Sequence, residues 1–161
     1  MKVLIVSDTH GRDGKLEEAV KREAPFDMLI HCGDVEGREF YIEALAECPC
    51  CIVAGNNDFF SDLPREQEIE LAGRKVMVTH GHYYGVSMDM YGLLEEARSR
   101  NCQAVMFGHT HRPVAVTRDG ILAINPGSLS YPRQEGRKPS YAVLHADRSG
   151  EFRVSIEYLN R

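Results

Sequence analysis

Val3-Leu-Ile-Val-Ser-Asp-Thr-His-Gly11 runs from four apolar residues straight into a polar tip. The apolar part is rich in β-branched side chains and has the length of a strand buried on both faces. From residue 14 to residue 24, Leu16, Ala19 and Val20 recur among charges with the spacing of an amphipathic helix, and Pro25 stops it. A strand followed by a helix is a βα unit, and repeating it builds a parallel sheet.

The repeat is present. Residues 27–31 read as a second strand ending in Cys32-Gly-Asp34, and residues 38–47 as a helix with Phe40, Tyr41, Ala44 and Leu45 on its inner side, closed by Pro49. Residues 51–54 form a third strand ending in Gly55-Asn-Asn-Asp58. The pattern then changes. Residues 66–71 and 75–79, joined by Ala72-Gly-Arg74, read as a hairpin that ends in His80-Gly-His82. Residues 90–100 read as a third helix, and residues 104–107 as a strand leading to Gly108-His-Thr-His111. Only strands follow, at 114–118, 121–125, 141–145 and 152–158, the first pair joined by Asp119-Gly120. A βαβα half and a β-rich half predict an α/β fold of four layers, an α/β/β/α sandwich of two mixed sheets with outer helices. A plain three-layer sheet is the alternative.

Composition sets the bounds. With 161 residues and 43% hydrophobic content, residues 1–161 suffice for a single domain with its own core. The opening apolar run is too short for a signal sequence or a membrane span, so a cytoplasmic protein with no membrane partner is expected. Five cysteines are an odd number without framework spacing, which suits reduced thiols. The formal charge of −5 carries no basic block, so a nucleic-acid partner is not expected. Oligomeric state, a homo-oligomer included, is left open.

Five apolar runs end alike, in Asp8-Thr-His10, Gly33-Asp34, Gly55-Asn-Asn-Asp58, His80-Gly-His82 and Gly108-His-Thr-His111. The carboxyl ends of parallel strands share one edge of a sheet, so the five tips can converge. His109 and His111, two apart in an extended segment, would lie on the same side and reach one centre or two adjacent ones. Together the tips offer oxygen and nitrogen donors without thiolate, a set that suits Mn, Fe, Zn or Ni as divalent ions. Seven donors exceed the needs of one ion. They fit two ions about 3.5–4 Å apart that share a carboxylate, an arrangement used to activate water in phosphoester hydrolysis.

Asp-x-His, Gly-Asp, Gly-Asn-x-Asp, His and Gly-His-x-His in this order resemble the calcineurin-like metallophosphoesterase family. Asn125-Pro-Gly-Ser128 and Pro132-Arg133 extend the likeness to its small YfcE-type phosphodiesterases. The resemblance implies the α/β/β/α sandwich. It also implies metal roles for Asp8, His10 and His111 at one ion and for Asn56, His80 and His109 at the other, with Asp34 bridging. Two divalent cations are implied, Mn2+ foremost, with Ni2+, Zn2+, Fe2+ and Mg2+ as alternatives. The candidate catalytic residues are Asp34 and Asn56, with His82 as a candidate acid, and the implied reaction is hydrolysis of a small phosphodiester substrate by in-line attack of a bridging hydroxide. In many members a His that protonates the leaving oxygen follows the Asn; here Asn57 stands there, and an amide cannot supply a proton at neutral pH. His82 or bound water is left to do so, unless the leaving group departs unaided.

Other residues read as structural. Cys48 and Cys51 have C-x-x-C spacing but end a helix rather than start one, where a thiolate would be stabilised. His31 is expected to be buried or to support a ligand, and His145 to be structural. Tyr83, Tyr84 and Arg133 are candidates for a substrate pocket or for packing. The rival to an enzyme is a non-catalytic protein-binding scaffold like the retromer subunit that shares the fold; a nuclease is a third reading. The sequence names no substrate-binding residues and no substrate.

Overall fold

The computed structural model describes residues 1–161. Its first half places β1 (Lys2–Val6), α1 (Gly14–Glu23), β2 (Met28–His31), α2 (Glu39–Ala46) and β3 (Cys50–Ile52) in order. A hairpin of β4 (Glu66–Leu71) and β5 (Arg74–Thr79) follows, then a short 3-10 turn at His82–Tyr84, α3 (Tyr91–Ser99) and β6 (Ala104–Met106). The chain closes with β7 (Val114–Arg118), β8 (Ile121–Asn125), β9 (Ser140–Ala146) and β10 (Phe152–Tyr158).

The strands form two five-stranded sheets, ordered β10-β9-β1-β2-β3 and β4-β5-β6-β8-β7. β1, β2 and β3 are parallel, with β9 antiparallel to β1, so that Ile5 stands between Ile30 and Ala142. In the second sheet β5, β6 and β8 are parallel.

Three clusters of buried side chains explain the layering. Val3 and Ile5 of β1 and Ile30 of β2 meet Val76, Val78, Met106 and Ile124 of the other sheet. The alternate residues Leu4, Val6 and Leu29 face outward onto Leu16, Ala19, Ile42 and Ala46 of α1 and α2. Met77, Val105 and Ala123 carry Leu93, Leu94 and Ala97 of α3 on the outside of the second sheet. The order is therefore α/β/β/α. Strands covered on both faces need apolar residues at every position, which is why residues 3–6 form an unbroken apolar run and are 0% exposed.

One expectation changes. α2 buries Ile42 and Ala46, with Leu45 partly buried, while Phe40 is 79% exposed and Ala44 is on the surface. Six of its eight residues are apolar, so periodicity alone cannot choose the face, and docking against α1 and the sheet decides it. His145 is an exposed strand residue of β9, paired with Lys2 and Arg153, in keeping with a structural reading. The turns behave as expected: Ala72-Gly73 and Asp119-Gly120 have positive φ at both residues, the conformation that matches a two-residue hairpin.

Candidate metal centre

Each candidate ligand sits just past the carboxyl end of a parallel strand: Asp8 and His10 after β1, Asp34 after β2, Asn56 after β3, His80 after β5, His109 and His111 after β6. Asp8, His10, Asp34, His109 and His111 all have positive φ, between 51° and 73°. Left-handed backbone at non-glycine residues is uncommon and clusters at functional sites. It also overturns the extended reading of His109 and His111. The two rings part company, His111 joining Asp8 and His10 while His109 joins Asn56 and His80.

The loops close tightly around two carboxylates. A Cβ on Gly55 would stand 2.1 Å from Asp34 Oδ1, and one on Gly108 would stand 2.1 Å from Ser7 Oγ and 2.6 Å from Asp8 Oδ2. Both positions therefore require glycine.

Asp8 Oδ1 lies 3.1 Å from His111 Nε2 and 3.7 Å from both His10 Nε2 and His80 Nε2. Asp34 Oδ2 lies 3.6 Å from His10 Nε2 and 3.4 Å from His80 Nε2. Both carboxylates thus stand between the His10 side and the His80 side. Asn56 Oδ1 and His109 Nδ1 are 3.1 Å apart, which completes the convergence of the seven residues.

Hydrogen bonds around the rim fix which ring nitrogen faces inward. His80 Nδ1 donates to the Cys32 carbonyl at 2.7 Å, and His111 Nδ1 to the Tyr131 carbonyl at 2.7 Å. His10 Nδ1 faces Glu36 Oε2 at 3.3 Å. An imidazole held this way presents its Nε2 lone pair, the arrangement that supports metal ligation. Ser7 Oγ and the His109 N–H both donate to Asp8 Oδ2 and leave Oδ1 facing the cluster. Asp8 Oδ1 and His80 Nε2 are buried polar atoms without a hydrogen-bond partner. Such atoms are costly unless something else satisfies them. Facing lone pairs on oxygen and nitrogen, buried and converging, fit a cation.

The protonation pattern of the metal-free protein agrees. Burial disfavours charge on His80, yet Asp34 and Asp8 raise its pKa to about 9. Burial would raise Asp8, but contacts with His10 and His111 outweigh it and hold the carboxyl well below its usual range. Asp34 is likewise lowered, against burial, chiefly by His80. Without a metal, protons supply the positive charge that these carboxylates require. His109 and His82 shift the other way, lowered by burial and then by the charge on His80.

The roles of several side chains within the motifs escaped the sequence reading. Asn57 donates its backbone N–H to Asp34 Oδ1 at 2.9 Å and its amide to Asp34 Oδ2 at 3.0 Å, so it clamps that carboxylate. Asp58 accepts the N–H groups of Asp34, Gly55 and Glu36 at 2.7–2.8 Å and ties two loops together. Its carboxylate is thereby fixed by the backbone of both loops. Asn125 donates to the Gly108 carbonyl at 3.2 Å and to Thr110 Oγ1 at 3.0 Å, and Ser128 Oγ to the Asp8 carbonyl at 2.8 Å. These bonds give Asn125-Pro-Gly-Ser128 its place beneath the site. The signal for all four was their position beside or within the motifs.

The remaining candidates fall outside the cluster or at its edge. His31 is fully buried, accepts the Gly33 N–H at Nδ1 and bonds Thr9 Oγ1 through Nε2, and burial lowers its pKa to about 4. The His82 ring stands 5.4 Å from His80 and 6.0 Å from His109, at the margin. Tyr84 is held by Glu66 and Arg100 away from the ligands, and Tyr83 is exposed beside Arg65. All five cysteines are free thiols, and burial raises Cys50 to about 12 and Cys51 to about 11, which leaves them inert.

Comparison with known proteins agrees with this geometry. Residues 1–149 match the model of the calcineurin-like phosphoesterase superfamily domain. A probable metallophosphoesterase of Bacillus subtilis is 39% identical over 89% of this chain and 83% of its own length. A phosphodiesterase of Methanocaldococcus jannaschii is 32% identical over 79% of this chain and 83% of its own length. The crystal structure of a predicted phosphoesterase from Streptococcus pneumoniae superposes with a TM-score of 0.84 at 32% identity, covering 98% of this chain and 88% of that one. Vps29 of Entamoeba histolytica, solved with zinc, shares the fold with a TM-score of 0.78 at 20% identity, covering 98% of this chain and 99% of that one. With a family model spanning most of its length and relatives above 30% identity on either side of the bacterial and archaeal divide, the chain belongs to the calcineurin-like phosphoesterase superfamily.

Proposed function

We propose that the chain is a cytoplasmic, single-domain phosphodiesterase working with two divalent ions, Mn2+ first among them. The observation that carries the reading is the pair of buried, unpartnered atoms Asp8 Oδ1 and His80 Nε2 amid converging imidazoles. Two groups of donors, Asp8 with His10 and His111, and Asp8 with Asp34 and His80, each lie close enough to hold an ion. Asn56 and His109 complete the second group, and Asp34 stands between the two. When bound, the ions supply Lewis acidity and a nucleophilic water at neutral pH.

The chain's own residues do the rest. Asp34, clamped by Asn57, keeps a fixed negative charge between the two groups. Asn56 and His109 lie at the more open end of the cluster, where a phosphoryl oxygen can approach. Asn57, an amide, has no proton to give a leaving oxygen, and the His82 ring stands at the margin of the cluster rather than within it. A diester with an acidic leaving group should accordingly react much faster than an alkyl one, since general-acid help is typically worth ~10²–10⁴-fold.

The test is reconstitution of the purified protein with Mn2+, metal counting, and assay of bis(p-nitrophenyl) phosphate beside alkyl aryl and dialkyl phosphodiesters. Two ions per chain and a steep dependence on leaving-group acidity are expected. One ion or none, or metal content without hydrolysis of any diester, would overturn the reading. The second outcome would favour the scaffold rival, but the Vps29 likeness that recommends it reaches only the fold.

A further inference from the structure

A cleft of about 800 Å3 opens directly on His10 and His111, and its wall holds Arg112, Arg133 and Arg137 against a single acid, Glu36. Glu36 is itself engaged with His10 Nδ1 at 3.3 Å. The arginines that form ion pairs lie elsewhere, at Arg22, Arg38, Arg98 and Arg100, which leaves these three guanidinium groups without a carboxylate partner. The chain's formal charge is −5, so a cluster of three free cations beside one site is not a consequence of composition.

The backbone that carries Arg112 and Arg133 is also fixed in place. The Arg133 N–H donates to the His111 carbonyl at 3.1 Å, and the Tyr131 carbonyl accepts from His111 Nδ1 at 2.7 Å. These two bonds hold the 131–133 loop against the segment carrying Arg112, so the backbone of both arginines keeps its distance from the metal ligands. Arg112 and Arg133 also line an adjoining cleft of about 420 Å3 with apolar walls from Val86, Met90 and Phe107. Guanidinium groups present paired N–H donors that match phosphate oxygens.

We infer that the substrate carries a second phosphate group, on the arm of the diester that leaves the metal cluster past His10 and His111, and that Arg112, Arg133 and Arg137 bind it. The scissile phosphate has the metal ligands for its own charge, so three further cations beside it answer to a further anion. The inference rests on the proposed phosphodiesterase activity. The chemistry is that of a nucleotide-like small molecule with a terminal phosphate.

The experiment uses the Mn2+-loaded protein and thymidine dinucleotides with and without a terminal phosphate at either end. Phosphorothioate versions serve for calorimetric binding and the natural diesters for turnover. A terminal phosphate at one end should tighten binding and raise kcat/KM by about tenfold or more, as expected for charge-assisted pairing. The preference should shrink toward one in R112Q/R133Q/R137Q and be largely kept in R133K. Equal binding of the phosphorylated and unphosphorylated dinucleotides overturns the inference even if both are hydrolysed. Preferential binding without hydrolysis of any diester supports the arginine site and overturns the activity instead. A ten-nucleotide single strand binding no tighter than the phosphorylated dinucleotide supports a small substrate, and one binding about tenfold tighter overturns it in favour of a strand.

Discussion

Asn57 looks at first like a lost proton donor, but its two bonds to Asp34 give it different work. Removing an outer partner of a metal ligand typically costs ~10–100-fold in metal affinity or activity. Asn57→Ala should fall in that range, measured as Mn2+ affinity by calorimetry, with the thermal unfolding of the metal-free protein little changed. Asn57→His should also lose activity, because it gives up the amide bond that holds Asp34 Oδ2. Faster cleavage of alkyl diesters by N57H would refute this. His80 yields a second expectation. Its pKa of about 9 means that it carries a proton in the metal-free protein at pH 7, and a metal must displace it. Calorimetry in buffers of different ionisation heat should register proton release at pH 7, and affinity should climb with pH until about 9. In the metal-free protein the sign for stability is the reverse. A raised pKa contributes stability that is complete below the unfolded value near ~6.5 and is lost as pH rises through the folded value.

At the scale of strands, helices and loops, the glycines beside the carboxylates are the most sensitive points. Gly108→Ala forces a methyl group into Ser7 Oγ and Asp8 Oδ2, so Mn2+ binding should drop well before the fold does, and metal content against far-UV circular dichroism separates the two. Leu93→Ala acts in the opposite sense. It removes a fully buried side chain of α3 far from the ligands, should cost about 2–5 kcal/mol in urea unfolding, and should leave the metal count unchanged. The strands were legible because β1, β2, β5 and β6 are covered on both faces and so write unbroken apolar runs into the chain. The seven candidate ligands were legible because each follows an apolar run. The inner face of α2 was not, since nearly every position in it is apolar. Nor were the bends at His109 and His111, because positive φ outside glycine is set by what the loop closes upon. The roles of Asn57 and Asp58 depend on partners more than 20 residues away, which local spacing does not reveal.

Across the whole molecule, the candidate site joins loops from both sheets, so metal binding should register as global stability. A ligand that binds only the folded state at 100 times its Kd adds about 2.7 kcal/mol. Mn2+ should therefore raise Tm and chelation should reverse the rise, while Asp34→Asn should blunt the response by weakening both halves of the cluster; an equal shift in D34N would remove Asp34 from the ligand set. The order of strands has a separate consequence, for the chain as it leaves the ribosome. β1 precedes every other strand of the two sheets and is the middle one of its own, yet one of its two neighbours is β9, formed by Ser140–Ala146. Asp8 likewise waits for His111 and for Ser128, whose hydroxyl holds its carbonyl. A nascent chain stalled before Ser128 already carries all seven candidate ligands and still has no finished site, so neither the pairing of β1 nor the candidate cluster can be completed until Ser128 and β9 have been made.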